Sequence, residues 1–95
     1  MKSERPREVT GHSRHFLRNY LDHPERREIT DYHTQYVLDH AAEGFFGLQD
    51  DGLWQFTGVY VPDLGYVLRV VVHPDGKVYT AYNDKGETSK HFERR

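Results

Sequence analysis

The sequence predicts an α+β domain, with two N-terminal helices packed on a three- to four-stranded antiparallel β-meander. Three observations carry that expectation. Apolar residues recur at helical spacing as far as Ala41. From Leu53 the spacing drops to two. The period-two runs are separated by Pro-Asp-Leu-Gly and Pro-Asp-Gly, both strong turn formers. A run of helices followed by a run of hairpin strands leaves one economical arrangement, helices covering one face of the sheet.

The elements follow in order. Residues 1–11 are charged, carry Pro6 and lack periodicity, and read as a flexible arm or linker remnant ahead of a single domain over residues 12–95. In "GHSRHFLRNYLDHPERRE" the residues Phe16, Leu17, Tyr20 and Leu21 fall on one helical face. Ser13 is placed to cap that helix and Pro24 to stop it. In "ITDYHTQYVLDHAAEGFFG" Thr30 or Asp31 caps a second helix. Ile29 is placed to staple it, Tyr36, Val37 and Ala41 line its buried face, and Gly44 ends it. "LWQFTGVYV", "YVLRVVVH" and "KVYTAYND" are the three strands, and the tail "KGETSKHFERR" is a last helical turn or frays.

Unbroken pairing across these turns sets Val70 opposite Thr80 and Leu68 opposite Tyr82. One sheet face then carries Gln55, Thr57, Val59, Leu68, Val70, Val72, Val78, Thr80 and Tyr82. The other carries Trp54, Phe56, Tyr60, Val67, Arg69, Val71, Tyr79 and Ala81. A bulge would swap the assignment along one strand.

Composition narrows the function classes. The 95 residues suffice for one modest core. There is no cysteine, which excludes disulfides and thiolate metal sites. No apolar run approaches the roughly 18 residues of a membrane span. The net charge of −2, with His counted neutral, makes no demand for nucleic acid, although a neutral total can hide a basic patch. No glycine-rich phosphate loop, Ser-His-Asp spacing or heptad is present.

Several residues are candidates for chemistry. His12 and His15, three apart, share a helix face and suit acid–base work or, with further ligands, a metal; both also read as surface histidines. His33 and His40 share a face of the second helix, beside Val37. Arg69 interrupts an apolar strand, a costly place for a charge unless it is paired with a carboxylate or faces a phosphate. Thr80 and Tyr82 project from one strand face, where their hydroxyls can hold a phosphate or a ribose 2′-OH, or simply pack. The aromatic content, 14% of the chain, leaves rings to stack bases as well as to fill a core.

The segments "YVLRVVVHPDGKVYTAY" (Tyr66 to Tyr82), "LWQFTGVYV" and "HSRHFLRNYLDHPE" together resemble the BECR superfamily, the barnase, EndoU, colicin D and RelE-like ribonucleases of bacterial toxin systems. The likeness covers most of residues 12–84, and its strongest part is the strand–PDG–strand hairpin ending in Thr-x-Tyr. The resemblance implies a toxin domain of bacterial or phage origin that cleaves RNA, transfer or messenger, without metal or other cofactor. The 2′-OH attacks the adjacent phosphate. One group removes the 2′ proton, another protonates the leaving 5′ oxygen, and a cation steadies the phosphorane. By position it implies catalytic roles for His12 or His15, Arg69, Thr80 and Tyr82, with RNA contacts from Arg14, Arg18 and Lys77. It further implies a cognate immunity or antitoxin protein as partner, no membrane association, and action in the bacterial cytoplasm, including after delivery into a target cell. The chain departs from the basic charge common to such toxins. That departure, with the carboxylates of Asp50, Asp51 and Asp63, favours a second reading: a non-catalytic protein-binding module such as an immunity, antitoxin or phage-encoded inhibitor protein. An enzyme requires His12 or His15, a cation, Thr80 and Tyr82 to converge on one cleft; a binding module leaves them scattered.

Overall fold

The structure is a computed structural model and describes residues 5–85. In chain order the elements are β1 (Gly11–His12), α1 (Arg14–Asp22), a 3-10 turn (Pro24–Glu28), α2 (Asp31–His40), β2 (Phe46–Leu48), β3 (Trp54–Val61), β4 (Tyr66–Val72) and β5 (Lys77–Asn83). The fold is α+β, as expected, but the sheet is larger and mixed. Its five strands run in the order β1-β5-β4-β3-β2, with β1 parallel to β5 and all other pairs antiparallel. The meander is its centre. The edge strands β1 and β2 have two and three residues, too short to show a period.

Both helices begin where the sequence places them. Ser13 Oγ accepts the Phe16 amide at 3.2 Å. Beyond Asp22 the chain meets Pro24, whose missing N–H suits the first position of the 3-10 turn rather than a continuing helix. Arg27 folds back and donates to the carbonyls of Tyr20 and Leu21 at 3.0 and 2.9 Å, satisfying groups that the end of α1 leaves unpaired. At the start of α2, His33 Nδ1 accepts the Thr30 amide at 2.9 Å. The helix stops at His40, four residues before Gly44. Gly44, at φ +90, belongs instead to the turn leading into β2.

Three expectations need correction. The N-terminal arm is not loose over its described part: Pro6 is buried, Val9 N–H donates to Gln35 Oε1, and Thr10 N–H donates to the Gly76 carbonyl. Leu17 and Leu21 do not share the burial of Phe16; they stand 51% and 69% exposed. The two sheet faces are assigned differently, because each hairpin carries a bulge. Thr57 and Gly58 together oppose the single step of Arg69, so Phe56 pairs with Val70 and Val59 with Leu68. Tyr79 is extra in β5, so Val72 pairs with Val78 but Val71 with Thr80, and Arg69 with Tyr82. Each extra residue reverses the alternation beyond it.

The helix-side face therefore carries Trp54, Phe56, Val59, Val61, Leu68, Val70, Val72, Val78 and Ala81, joined by Phe16, Ile29, Val37 and Leu38 in one core. The far face carries Gln55, Arg69, Val71, Thr80 and Tyr82. The expected last helical turn or frayed tail, Lys85 onward, lies outside the described residues but for Lys85 itself. Among the described residues no helix is long and apolar enough to cross a membrane.

Candidate functional site

The bulges decide which candidate groups meet. Arg69, Thr80 and Tyr82 share the far face, where Arg69 and Tyr82 are cross-strand partners. The Arg69 side chain is buried, 3% exposed, and its Nη2 donates to Gln55 Oε1. Among the described residues its Nε and Nη1 are buried without a hydrogen-bond partner. A guanidinium in that state is costly, because desolvation is offset by only one of its five donors. Thr80 is buried beside it.

The histidines fall elsewhere. His12 belongs to β1 opposite Val78, on the helix side, where its Nε2 meets Asp31 Oδ1 at 2.6 Å and its ring stacks on Phe16. His15 stacks flat on Tyr79 at 4.2 Å, and His73 meets the same ring edge-on. Among the described residues no contact joins His12 or His15 to Thr80 or Tyr82. Arg14 and Arg18 are exposed on α1, and Lys77 is exposed at the start of β5. His33 caps α2 and holds Asp63, while His40 stacks on Tyr36. No three of His, Asp and Glu converge as a metal-ligand set among the described residues.

Tyr82 opens into a cleft of about 380 Å³ at the end of the β4–β5 hairpin. The 3-10 turn and the residue after it supply Arg26, Glu28 and Ile29, β4 supplies Tyr66, the end of β5 supplies Asn83, and the residues just beyond it supply Asp84 and Lys85. Arg26 lies over the Tyr82 ring, 5.2 Å from its centroid, a cation–π contact that keeps the guanidinium at the cleft wall. The Tyr66 hydroxyl donates to Glu28 Oε2 at 2.8 Å. Burial, and then this bond and the Glu28 charge, push the Tyr66 phenol well above its ordinary range, so at neutral pH it is a fixed donor. One concavity thus holds two cations, two aromatic rings and two carboxylates, Glu28 positioned by a phenol and the buried Asp84.

Sequence reasoning reached Tyr82 and missed the rest of the lining, Arg26, Glu28, Ile29, Tyr66, Asn83, Asp84 and Lys85. The signal lay in "PERRE": a charged stretch pinned between a proline stop and the next helix cap has to run across one end of the sheet. Comparison with protein-family models, with curated proteins and with solved structures finds no match for the chain.

Proposed function

We propose that the protein is a metal-independent endoribonuclease domain of a bacterial or phage toxin system, and that RNA is cleaved in the Tyr82 cleft. The observation that carries this reading is the meeting of Tyr82, from the strand motif that resembles the BECR ribonucleases, with Arg26, Glu28 and Lys85 in one concavity. Each requirement of 2′-OH transesterification has a candidate there. Glu28 is placed to accept the 2′ proton as the 2′ oxygen bonds to phosphorus. Arg26 and Lys85 face the charge that builds on the phosphorane oxygens. As the bond from phosphorus to the 5′ oxygen breaks, that oxygen takes a proton; of the two cations only Lys85 has one to give. A 2′,3′-cyclic phosphate and a 5′-hydroxyl result. The Tyr82 ring offers a stacking surface for a base, and Asn83 a polar edge. On this reading His12 and His15 stand outside the cleft, and Arg69 supports it from the adjacent strand position.

The test is incubation of purified protein with transfer and messenger RNA in EDTA, with analysis of product ends. Cleavage to 2′,3′-cyclic phosphate termini is expected, lost in Glu28→Gln and Tyr82→Ala and kept in His12→Ala. Intact RNA with folded protein, or full cleavage by Glu28→Gln, overturns the assignment. Expression in bacteria adds a second readout: growth arrest by the wild-type chain that Glu28→Gln relieves. The reading also places its action in the bacterial cytoplasm.

The second reading, a non-catalytic protein-binding module, draws on the separation of the histidines from Thr80 and Tyr82 and on α1. That helix leaves Leu17, Tyr20 and Leu21 exposed beside Arg14 and Arg18, an apolar stripe with a basic margin. For an immunity or inhibitor protein this is the working surface. For a ribonuclease it is the face offered to the immunity or antitoxin protein.

A further inference from the structure

We infer that a second cleft, between α2 and the β3–β4 turn, is a docking site for an arginine side chain presented by a partner polypeptide. The cleft is lined by Tyr32, Tyr36, Val61, Pro62 and Asp63 and encloses about 450 Å³, room for a guanidinium and its stem. It shares no lining residue with the Tyr82 cleft and does not depend on the ribonuclease reading.

Three features specify the occupant. The first is a carboxylate held in place with one oxygen to spare. His33 is buried, and its Nδ1 accepts the Thr30 amide, so its proton sits on Nε2, which donates to Asp63 Oδ2 at 2.5 Å. Asp63 is thereby fixed at the cleft rim, 69% exposed, and among the described residues nothing meets its Oδ1. A fixed carboxylate binds without the ordering cost that a free side chain carries. The second is a pair of rings. Tyr32 is 65% exposed, and its centroid lies 6.2 Å from that of Tyr36, with the planes 45° apart. His40 stacks behind Tyr36 at 4.1 Å, so Tyr36 is backed on one side. The third is charge. Neither α2 nor the Pro62–Gly65 turn contains Lys or Arg. Of the aspartates on these elements, Asp31 meets His12 and Asp39 accepts from Gln35, which leaves Asp63 as the acceptor facing the rings.

A carboxylate beside aromatic faces repels phosphate and attracts a cation. Between the two basic side chains, guanidinium fits better: its planar fork matches a carboxylate edge while its face lies on a tyrosine ring. The probes are nona-arginine, nona-lysine and an oligouridylate, titrated calorimetrically against the full chain in 0.15 M salt. Nona-arginine is expected to bind more tightly than nona-lysine. Asp63→Asn and, separately, Tyr32→Ala are expected to weaken it about tenfold. Tyr32 is exposed enough that its replacement leaves the core untouched, so that variant keeps the test valid if Asp63→Asn disturbs His33. Equal binding of the two peptides, or nona-arginine binding unchanged in Tyr32→Ala, reduces the effect to general charge attraction and overturns the site. Oligouridylate binding that Tyr32→Ala abolishes also overturns it, by making this face a base-stacking surface.

Discussion

The two faces of the sheet are built from the same strands on opposite terms. On the helix side Phe56, Leu68, Val70, Val72 and Val78 are all fully buried against Phe16, Ile29, Val37 and Leu38. The indole N–H of Trp54 is the one buried polar side-chain atom there without a partner among the described residues. On the far side stand Gln55, Arg69 and Thr80 of β3, β4 and β5, and among the described residues Arg69 keeps two buried nitrogens unpaired. One face is filled for stability. The other holds a polar arrangement that an apolar replacement of similar volume would leave no less stable. Native interiors leave few buried donors unpaired, so a persistent one asks for an explanation outside stability. Arg69 is the cross-strand partner of Tyr82, the residue through which this face reaches the cleft.

The contrast can be broken from either side. Phe56→Ala removes a ring at 0% exposure from the centre of the helix-side core, where the neighbours can close only part of the void. The expected loss is about 3–5 kcal/mol, read as a lower urea midpoint at unchanged slope. A loss under about 1 kcal/mol would mean that this side is loosely packed and the contrast false. Arg69→Met tests the other side, with the opposite sign. It fills a similar volume, removes the buried charge and frees Gln55. The expected change is from neutral to a gain of about 1–4 kcal/mol, accompanied, on the proposed ribonuclease reading, by slower RNA cleavage. Clear destabilisation would show that the guanidinium holds the sheet together and owes nothing to the cleft.

The same contrast marks what was legible in the sequence. Ser13, Pro24, the period-two runs and the Pro-Asp-Gly turn are local signals, and the helices and the three long strands stand where they point. The faces were not legible, because two single-residue bulges, at Thr57–Gly58 and at Tyr79, invert the alternation. Only Gly58, at φ +80 in mid-strand, left a trace of the first; Tyr79 looks like any β-former. The inversion is what puts Thr80 and Tyr82 on the face of Arg69. The sequence shows Tyr82 because it belongs to a motif. It conceals Arg26, Glu28 and Lys85, which reach the cleft through tertiary placement of segments that read as a connection after the first helix and the start of the tail.

The smallest expected effect sharpens the description of the cleft itself. Tyr66→Phe deletes the hydroxyl that positions Glu28 and leaves the ring in place. At neutral pH the cost in stability is at most about 1 kcal/mol, since an exposed bond is largely exchanged for water. The pH dependence is more diagnostic. The folded-state phenol is raised by burial and by Glu28, so the unfolded chain loses its proton first. The contribution of Tyr66 is therefore fully present below the ordinary tyrosine pKa of about 10, and it declines as pH rises above that towards the folded value. Urea midpoints of wild type and Tyr66→Phe should differ by a constant amount from pH 6 to pH 9 and converge above about pH 10. Parallel curves into that alkaline range would mean that Tyr66 does not hold Glu28. Glu28 would then be a mobile surface carboxylate, and the far face would end in a groove without a positioned carboxylate.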